Sequence, residues 1–440
     1  MPSAAGVRPS LTTALEDFLS ALSDHRPLGI AVSGGSDSLG LLIGLARLVS
    51  PARLVALTVD HGLRARSAEE ARIVKAFSRK IGIRHETLLW RGEKPRTGIQ
   101  AGARQARYRL LGEAASRLGL AAVLTGHTLD DQFETLAMRH ARTPADGSPG
   151  LTGIPAASLF DGRMWVLRPL LGINRADIRD FLSAIGADWL EDPSNSDDRF
   201  ERVRVRGSLK QGLPLRDGSL DTAERMAASR IAMAGAAADF VDRSCVVRED
   251  GIMRISLDGE GGDKHHLLAL ETLIAWCGGA ARPLDRRGKV ALQTFLETSG
   301  PGSALTVGRT LLRFERDFLS LRRERRGLET LRVAPGKTAD WDGRYRITNL
   351  DRKSDLIVSA DAGPAALPCF SRDSSAGSTL FSPVDGVEGG FIALRLAGRF
   401  SHVLPVYELP LAQALTRLAG ERKFTASPWS GPWSVQGRCR

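Results

Sequence analysis

The string SGGSDS at residues 33–38 constrains this chain most, because of what flanks it. Before it, the apolar run Leu28–Val32 reads as a buried strand; after it, Leu39, Leu42, Ile43 and Ala46 recur at helical spacing. A strand that turns at once into a helix through glycines and serines suits the presentation of backbone N–H groups to an anion. Gly34 and Gly35 permit a tight turn with no Cβ in the way, and Ser33, Ser36 and Ser38 add hydroxyl donors. The helix N-terminus adds the positive end of its dipole. Asp37 is the odd member, since a carboxylate beside phosphates repels them unless a cation intervenes, and this assigns it to Mg²⁺ bridging nucleotide phosphates. The plainer reading, a Ser/Gly-rich turn with a capping Asp, suits a lone Gly-Gly better than a complete strand–loop–helix. The loop has no Lys and is not GxxxxGK[ST]. A cradle for the β and γ phosphates as a departing unit implies attack at the α phosphate of ATP, with pyrophosphate released.

The first half repeats the strand–helix unit. Leu54–Val59 ends in Asp60-His61-Gly62, a short strand lies near His85–Leu89, a long helix runs through ARQARYRLLGEAASRLG, and Ala121–Thr125 ends in Gly126-His127. Near-continuous apolar strands alternating with helices imply an α/β fold, a doubly wound parallel sheet covered on both faces. Ligands in such sheets sit beyond the C-terminal strand ends, where SGGSDS, Asp60-His61 and Gly126-His127 all fall. The Pro/Gly/Ser-rich stretch Thr143–Pro155 reads as a functional loop, and Asn174–Ile185 as a helix capped by Asn174.

A chain of 440 residues exceeds one ordinary domain. We expect a catalytic domain at 1–215, a mostly helical segment at 216–300, and a small mixed α/β region at 301–440. The last includes a hairpin between Leu305 and Arg323 turning at Arg316-Asp317, and a helix at Pro410–Leu418. No apolar stretch is long enough to cross a bilayer and the N-terminus lacks a secretory layout, so no membrane partner and a cytoplasmic location are expected. The net charge of +11 favours a polyanionic partner. Cys245, Cys277, Cys369 and Cys439 form no CxxC pair and all lie in the second half. His265-His266 reads as a solvated pair with diverging rings.

Strand–SGGxDS–helix resembles the PP-loop ATP pyrophosphatase superfamily, a Rossmann-like group whose members adenylate a carbonyl or carboxylate and then displace AMP. VDHGLR (Val59–Arg64), ARQARY (Ala103–Tyr108), TGHTLDDQFETL (Thr125–Leu136), RPLLGINR (Arg168–Arg175) and DPSNSDDRFERVRVR (Asp192–Arg206) follow in order. Together they resemble the tRNA(Ile)-lysidine synthetases along most of residues 28–210. The departures are Thr128 where that family usually has a second His, Val203 where it has Asn, and a longer turn at TPADGSPG. The resemblance implies that O2 of the wobble cytidine in a CAU anticodon attacks the ATP α phosphate. The ε-amino group of free L-lysine then attacks C2 and expels AMP, leaving lysidine in tRNA-Ile. A PP-loop thiolase is the alternative, but it needs a persulfide Cys or an iron–sulfur cluster near the ATP site, and no Cys precedes Cys245. A non-catalytic tRNA-binding protein would have no use for Asp37 and the DDxxE acids.

Asp131 and Glu134, three apart on one helix, share a face and suit an ammonium group. They match the family's lysine-binding acids, although a first-turn acidic pair also stabilises a helix dipole. His127 contacts nucleotide or cytidine, or is a hydrogen-bonded structural His. Arg107 is a candidate for the phosphate or adenylate, whereas Arg104 and Arg109 read as solvated helix charges. Asp60 and His61 border the adenosine site or form a strand-end turn. Arg199, Arg202, Arg204 and Arg206 make a basic stripe for the tRNA backbone, or an ordinary solvated face. The run Arg322-Arg323-Glu324-Arg325-Arg326 has the same two readings.

Overall fold

The structure is a computed structural model and describes residues 10–63, 66–92, 94–95, 97–142, 152–191, 201–210, 219–256, 263–363, 365–372, 390–421 and 423–431. The chain forms two compact units. One comprises Met1–Arg230, Pro405–Tyr407 and Thr425–Arg440; the other comprises Ile231–Leu404 and Glu408–Phe424.

The first unit begins with α1 (Leu11–Ser20), capped by the Ser10 side chain, which accepts from Thr13 N. Then follow β1 (Leu28–Ala31), α2 (Ser36–Leu48), β2 (Leu54–Asp60), α3 (Ser67–Lys80), β3 (Arg84–Leu89), α4 (Ile99–Arg117), β4 (Ala122–Thr125) and α5 (Leu129–Arg142). β5 (Ala157–Phe160), β6 (Met164–Leu167), α6 (Arg175–Ala184) and α7 (Glu201–Lys210) complete it, with the start of α8 (Ser219–Ser244). Six strands pair in the order β5-β6-β4-β1-β2-β3, all parallel except the β5–β6 hairpin. The central strands are apolar throughout because helices cover both faces: Leu28, Ile30, Leu54, Ala56, Val123 and Leu124 are all fully buried. On one face α4 lays Tyr108, Leu111, Ala114 and Ala115 over β2, β4 and β6, with the Tyr108 ring stacked on Phe160 at 3.9 Å.

The first departure from expectation is the hairpin β5–β6. Its strands, ASLF and MWVL, are buried on both faces and so show no alternation. The signal is the turn: Asp161 and Gly162 both have positive φ, 46° and 65°, the backbone of a tight Asp-Gly hairpin. A second departure concerns Asn174. It occupies the N-cap of α6, but its amide donates to Asp177 Oδ2 at 3.1 Å instead of accepting from the helix backbone. Most of the Thr143–Pro155 stretch and all of TPADGSPG lie outside the described residues.

The second unit joins helices to small antiparallel sheets. After α8 come β7 (Cys245–Val247), β8 (Met253–Ser256), α9 (Lys264–Gly278), α10 (Arg286–Thr298), β9 (Ala304–Val307), β10 (Thr310–Phe314) and β11 (Phe318–Arg323). The expected hairpin is β10–β11, within a five-stranded sheet ordered β7-β8-β11-β10-β9. β12 (Leu331–Val333), β15 (Leu356–Ala360) and β16 (Pro368–Arg372) make one three-stranded sheet. β13 (Thr338–Trp341), β14 (Tyr345–Asn349) and β17 (Phe391–Arg395) make another, and Trp341, Ile347, Phe370 and Phe391 share one core with both. α11 (Leu409–Leu418) is the expected terminal helix.

The basic run is not one solvated face. Arg323 is buried and its guanidinium donates to Asp342 Oδ2 and Oδ1 at 2.9 and 2.8 Å, while Arg325 donates to the Asp361 and Gly363 carbonyls. Nor do His265 and His266 diverge. They open α9 with ring centroids 4.1 Å apart, the Asp263 carboxylate lies within 4.8 Å of both, and Phe240 packs on His266 at 4.5 Å. Burial of His266 against Phe240 sets that geometry. Cys245 and Cys277 are buried, and burial pushes the Cys245 thiol up to about 12, where it is inert. Among the described residues no helix is long and apolar enough to cross a membrane.

Candidate active site

The SGGSDS loop leaves β1 and enters α2 at Gly35, the N-cap residue. Gly34 has φ +90°, and a Cβ there would lie 2.6 Å from Leu190, so only glycine keeps the turn. The hydroxyls fold in on the loop: Ser38 donates to Gly35 O at 3.0 Å and accepts from Ser33 N at 3.2 Å, and Ser36 donates to Asp37 Oδ1 at 2.9 Å. The end of β4 abuts it so closely that a Cβ on Gly126 would sit 2.8 Å from the Asp37 carbonyl. That approach sets His127, Asp131 and Glu134 beside Asp37.

Asp131 serves two purposes at once. Its Oδ2 accepts from the N–H and hydroxyl of Thr128, at 2.8 and 3.1 Å, closing the first turn of α5. Its Oδ1 faces the other way and accepts from Arg202 Nη2 at 2.9 Å. Glu134 is 1 % exposed, with Oε2 accepting from Arg202 Nε at 2.6 Å and Oε1 from Arg206 Nε at 2.7 Å. Arg175, at the start of α6, ties the acids to the loop. Its Nε donates to Asp37 Oδ2 at 2.8 Å, its guanidinium stands 3.6 Å from Asp131 and 3.9 Å from Glu134, and its backbone N–H donates to Asp130 Oδ2.

The charges are unevenly matched. Burial lifts the Asp37 carboxyl above its ordinary range against the pull of Arg175, with Asp131 adding to the rise, so this carboxylate is short of positive charge. His127 is driven well below its usual value by burial and then by the surrounding cations Arg168, Arg202, Arg104 and Arg107, and is therefore neutral. Its Nδ1 is 2.9 Å from Thr125 Oγ1.

These groups line one cavity of roughly 1120 Å³. The loop lines it together with Asp131, Glu134, Arg175, Arg202 and Arg206; Ala31, Leu57, Val59 and Leu111 make an apolar wall, with Arg104, Arg107 and Tyr108. An apolar slot beside an anion-holding loop matches a nucleotide's base and phosphates. Arg107 is in the wall and lies 3.2 Å from His61 Nε2. Asp60 and His61 are not in it, and the Asp60 carboxylate accepts from Gly62 N–H at 2.8 Å, as a strand-end turn requires. Arg104, read as solvated, is part of the wall and stands over the Tyr108 ring at 5.0 Å, whereas Arg109 pairs on the surface with Glu113.

The basic stripe is a helix, α7, from residue 201 onward. Arg202 and Arg206, four apart, reach down to the acids, while Arg204 is exposed; Arg199 lies outside the described residues. Arg175 and Thr128 were named in the sequence but given no role in the site. The spacing Thr128-x-x-Asp131 is a helix-start signal that could have found the second; only folding brings Arg175 to Asp37, 138 positions away.

A family model for the PP-loop domain matches residues 7–213. A tRNA(Ile)-lysidine synthase of Mesorhizobium japonicum is 39% identical over 432 residues, covering 91% of this chain and 94% of that protein. The enzyme of the same name from Rhizobium meliloti is 36% identical over 443 residues, covering 94% and 96%. That of Brucella anthropi is 34% identical, covering 89% and 93%.

Proposed function

Because the chain belongs to the tRNA(Ile)-lysidine synthase family, we propose how its own residues divide the reaction. It is an ATP-dependent ligase acting on tRNA, and it joins L-lysine to C2 of the wobble cytidine in the CAU anticodon of tRNA-Ile, yielding lysidine, AMP and pyrophosphate. Acting on tRNA with ATP and free lysine supports a cytoplasmic location.

The observation that carries the assignment of roles is the adjacency of two buried acids to a phosphate loop inside one cavity. The loop and the α2 N-terminus hold the β and γ phosphates, and the slot between β1, β2 and α4 takes the adenosine. Asp37, a half-buried carboxylate at that helix start, is the protein oxygen that would hold Mg²⁺ beside the nucleotide phosphates. Bound there, the cation would offset charge on the departing pyrophosphate. Arg107 and Arg104 are in reach of the α phosphate side of the cavity. The neutral His127 hydrogen-bonds the cytidine and is too weak a base to store a proton. Asp131 and Glu134 hold an ammonium group of lysine while the deprotonated ε-amino group attacks C2, and the former O2 leaves with AMP. Arg202, Arg204 and Arg206 meet the RNA backbone.

The test is incubation with ATP, labelled L-lysine and total bacterial tRNA. Label should enter one CAU-anticodon isoleucine tRNA with stoichiometric AMP. Glu134→Gln should raise the lysine requirement more than the ATP requirement; an equal rise in both overturns the lysine-site assignment.

A further inference from the structure

The oxygens an ammonium group would use are already occupied. Glu134 gives one oxygen to Arg202 and the other to Arg206, at 2.6 and 2.7 Å. Asp131 gives one to Arg202 and one to Thr128. Arg175 stands behind them within 3.9 Å. An incoming ammonium would meet guanidinium charge of its own sign on three of the four carboxylate oxygens. The two α7 arginines are also the ones placed to leave. Their side chains are 41 % and 25 % exposed, against 18 % for Arg175. α7 lies on α5, and among its described side chains none is fully buried, Val203 and Val205 included. Ion pairs from Arg202 and Arg206 to the α5 acids tie it to α5.

We infer that Arg202 and Arg206 are positioning residues that set the order of substrate binding. Without RNA they stand on Asp131 and Glu134 in the place of the lysine ammonium; RNA phosphates draw them off and open the acids. A phosphodiester accepts a guanidinium through two parallel hydrogen bonds and carries the charge to compete with a carboxylate. Lysine affinity before RNA arrives is lowered by the small fraction of molecules in which the acids are bare. Lysine is thereby kept from the ATP site until the cytidine it must join is present. This rests on the proposal that Asp131 and Glu134 hold lysine.

Equilibrium dialysis of labelled L-lysine against the full chain, without ATP so that nothing turns over, tests the order. Saturating unmodified tRNA-Ile with a CAU anticodon should tighten lysine binding about tenfold or more. Arg202→Gln combined with Arg206→Gln should bind lysine without RNA about as tightly as the unaltered chain does with it, and respond to RNA by less than about twofold. Retained ATP binding shows that the variant is folded. Equal lysine affinity with and without RNA in the unaltered chain overturns the inference, as does loss of lysine binding in a variant that still binds ATP. Glu134→Gln separates the two claims. If it leaves RNA-stimulated lysine binding intact, the lysine-site reading itself fails. If it abolishes binding that is indifferent to Arg202, Arg206 and RNA, only the order fails.

Discussion

Asp37 is asked to be buried, negatively charged and close to phosphates, and Arg175 alone does not satisfy it. That imbalance is useful only if a cation arrives with the nucleotide. Asp37→Ala should lower ATP–pyrophosphate exchange by about a hundredfold or more while leaving tRNA binding nearly unchanged; exchange retained within tenfold removes Asp37 from the metal role. A second residue tests the electrostatics of the fold. His85 is drawn down from 6.5 to about 4, chiefly by burial and then by Lys75, with its Nε2 2.9 Å from Thr58 Oγ1. The unfolded chain then takes up this proton first, so the contribution of neutral His85 is complete above pH 6.5 and is lost as pH falls toward 4. Melting curves should show the stability advantage over His85→Gln shrinking through that window; a gap constant with pH contradicts the assignment. The acids at 131 and 134 were legible from spacing alone, but their purpose was not. A first-turn acid that closes a helix and one that faces a cavity look identical in sequence, and Asp131 gives one oxygen to the helix start and the other to Arg202.

At the scale of elements, the site exists because β4 is followed by a glycine, Gly126, that lies against the loop after β1. Gly126→Ala would force a Cβ to 2.8 Å from the Asp37 backbone, which cannot swing aside as a side chain does. Overpacking of this kind costs about 1–3 kcal/mol, and the strain falls on the phosphate loop. ATP binding should weaken by about tenfold with a modest fall in melting temperature, and unaltered ATP affinity would show that the contact is slack. The parallel strands were readable from their apolar runs because helices bury both faces. The same burial hid β5 and β6, which lack alternation, and left only Asp161-Gly162 as evidence of a hairpin. In α7 the alternating arginines fit an exposed strand as well as a helix, and contact with α5 decides for the helix.

Over the whole molecule, a net charge of +11 predisposes the chain to RNA without saying where the charge acts. The structure sorts the arginines by what already neutralises them. Arg323 and Arg344 are buried against Asp342 in the second unit, so the basic run there is partly consumed in folding. In α7, Arg202 and Arg206 begin on carboxylates, and moving them to phosphates exchanges one ion pair for another. Arg204 is the exposed member of the three. Counterion release therefore assigns different slopes to neighbours on one helix. Arg204→Gln should reduce the dependence of log affinity for tRNA on log salt by about 0.7–0.9, the value of one phosphate contact. Arg202→Gln should reduce it by clearly less, since the contact it loses is offset by the carboxylate pair it no longer has to break. Equal losses for the two variants would mean that the bond of Arg202 to Glu134 is no obstacle to RNA binding.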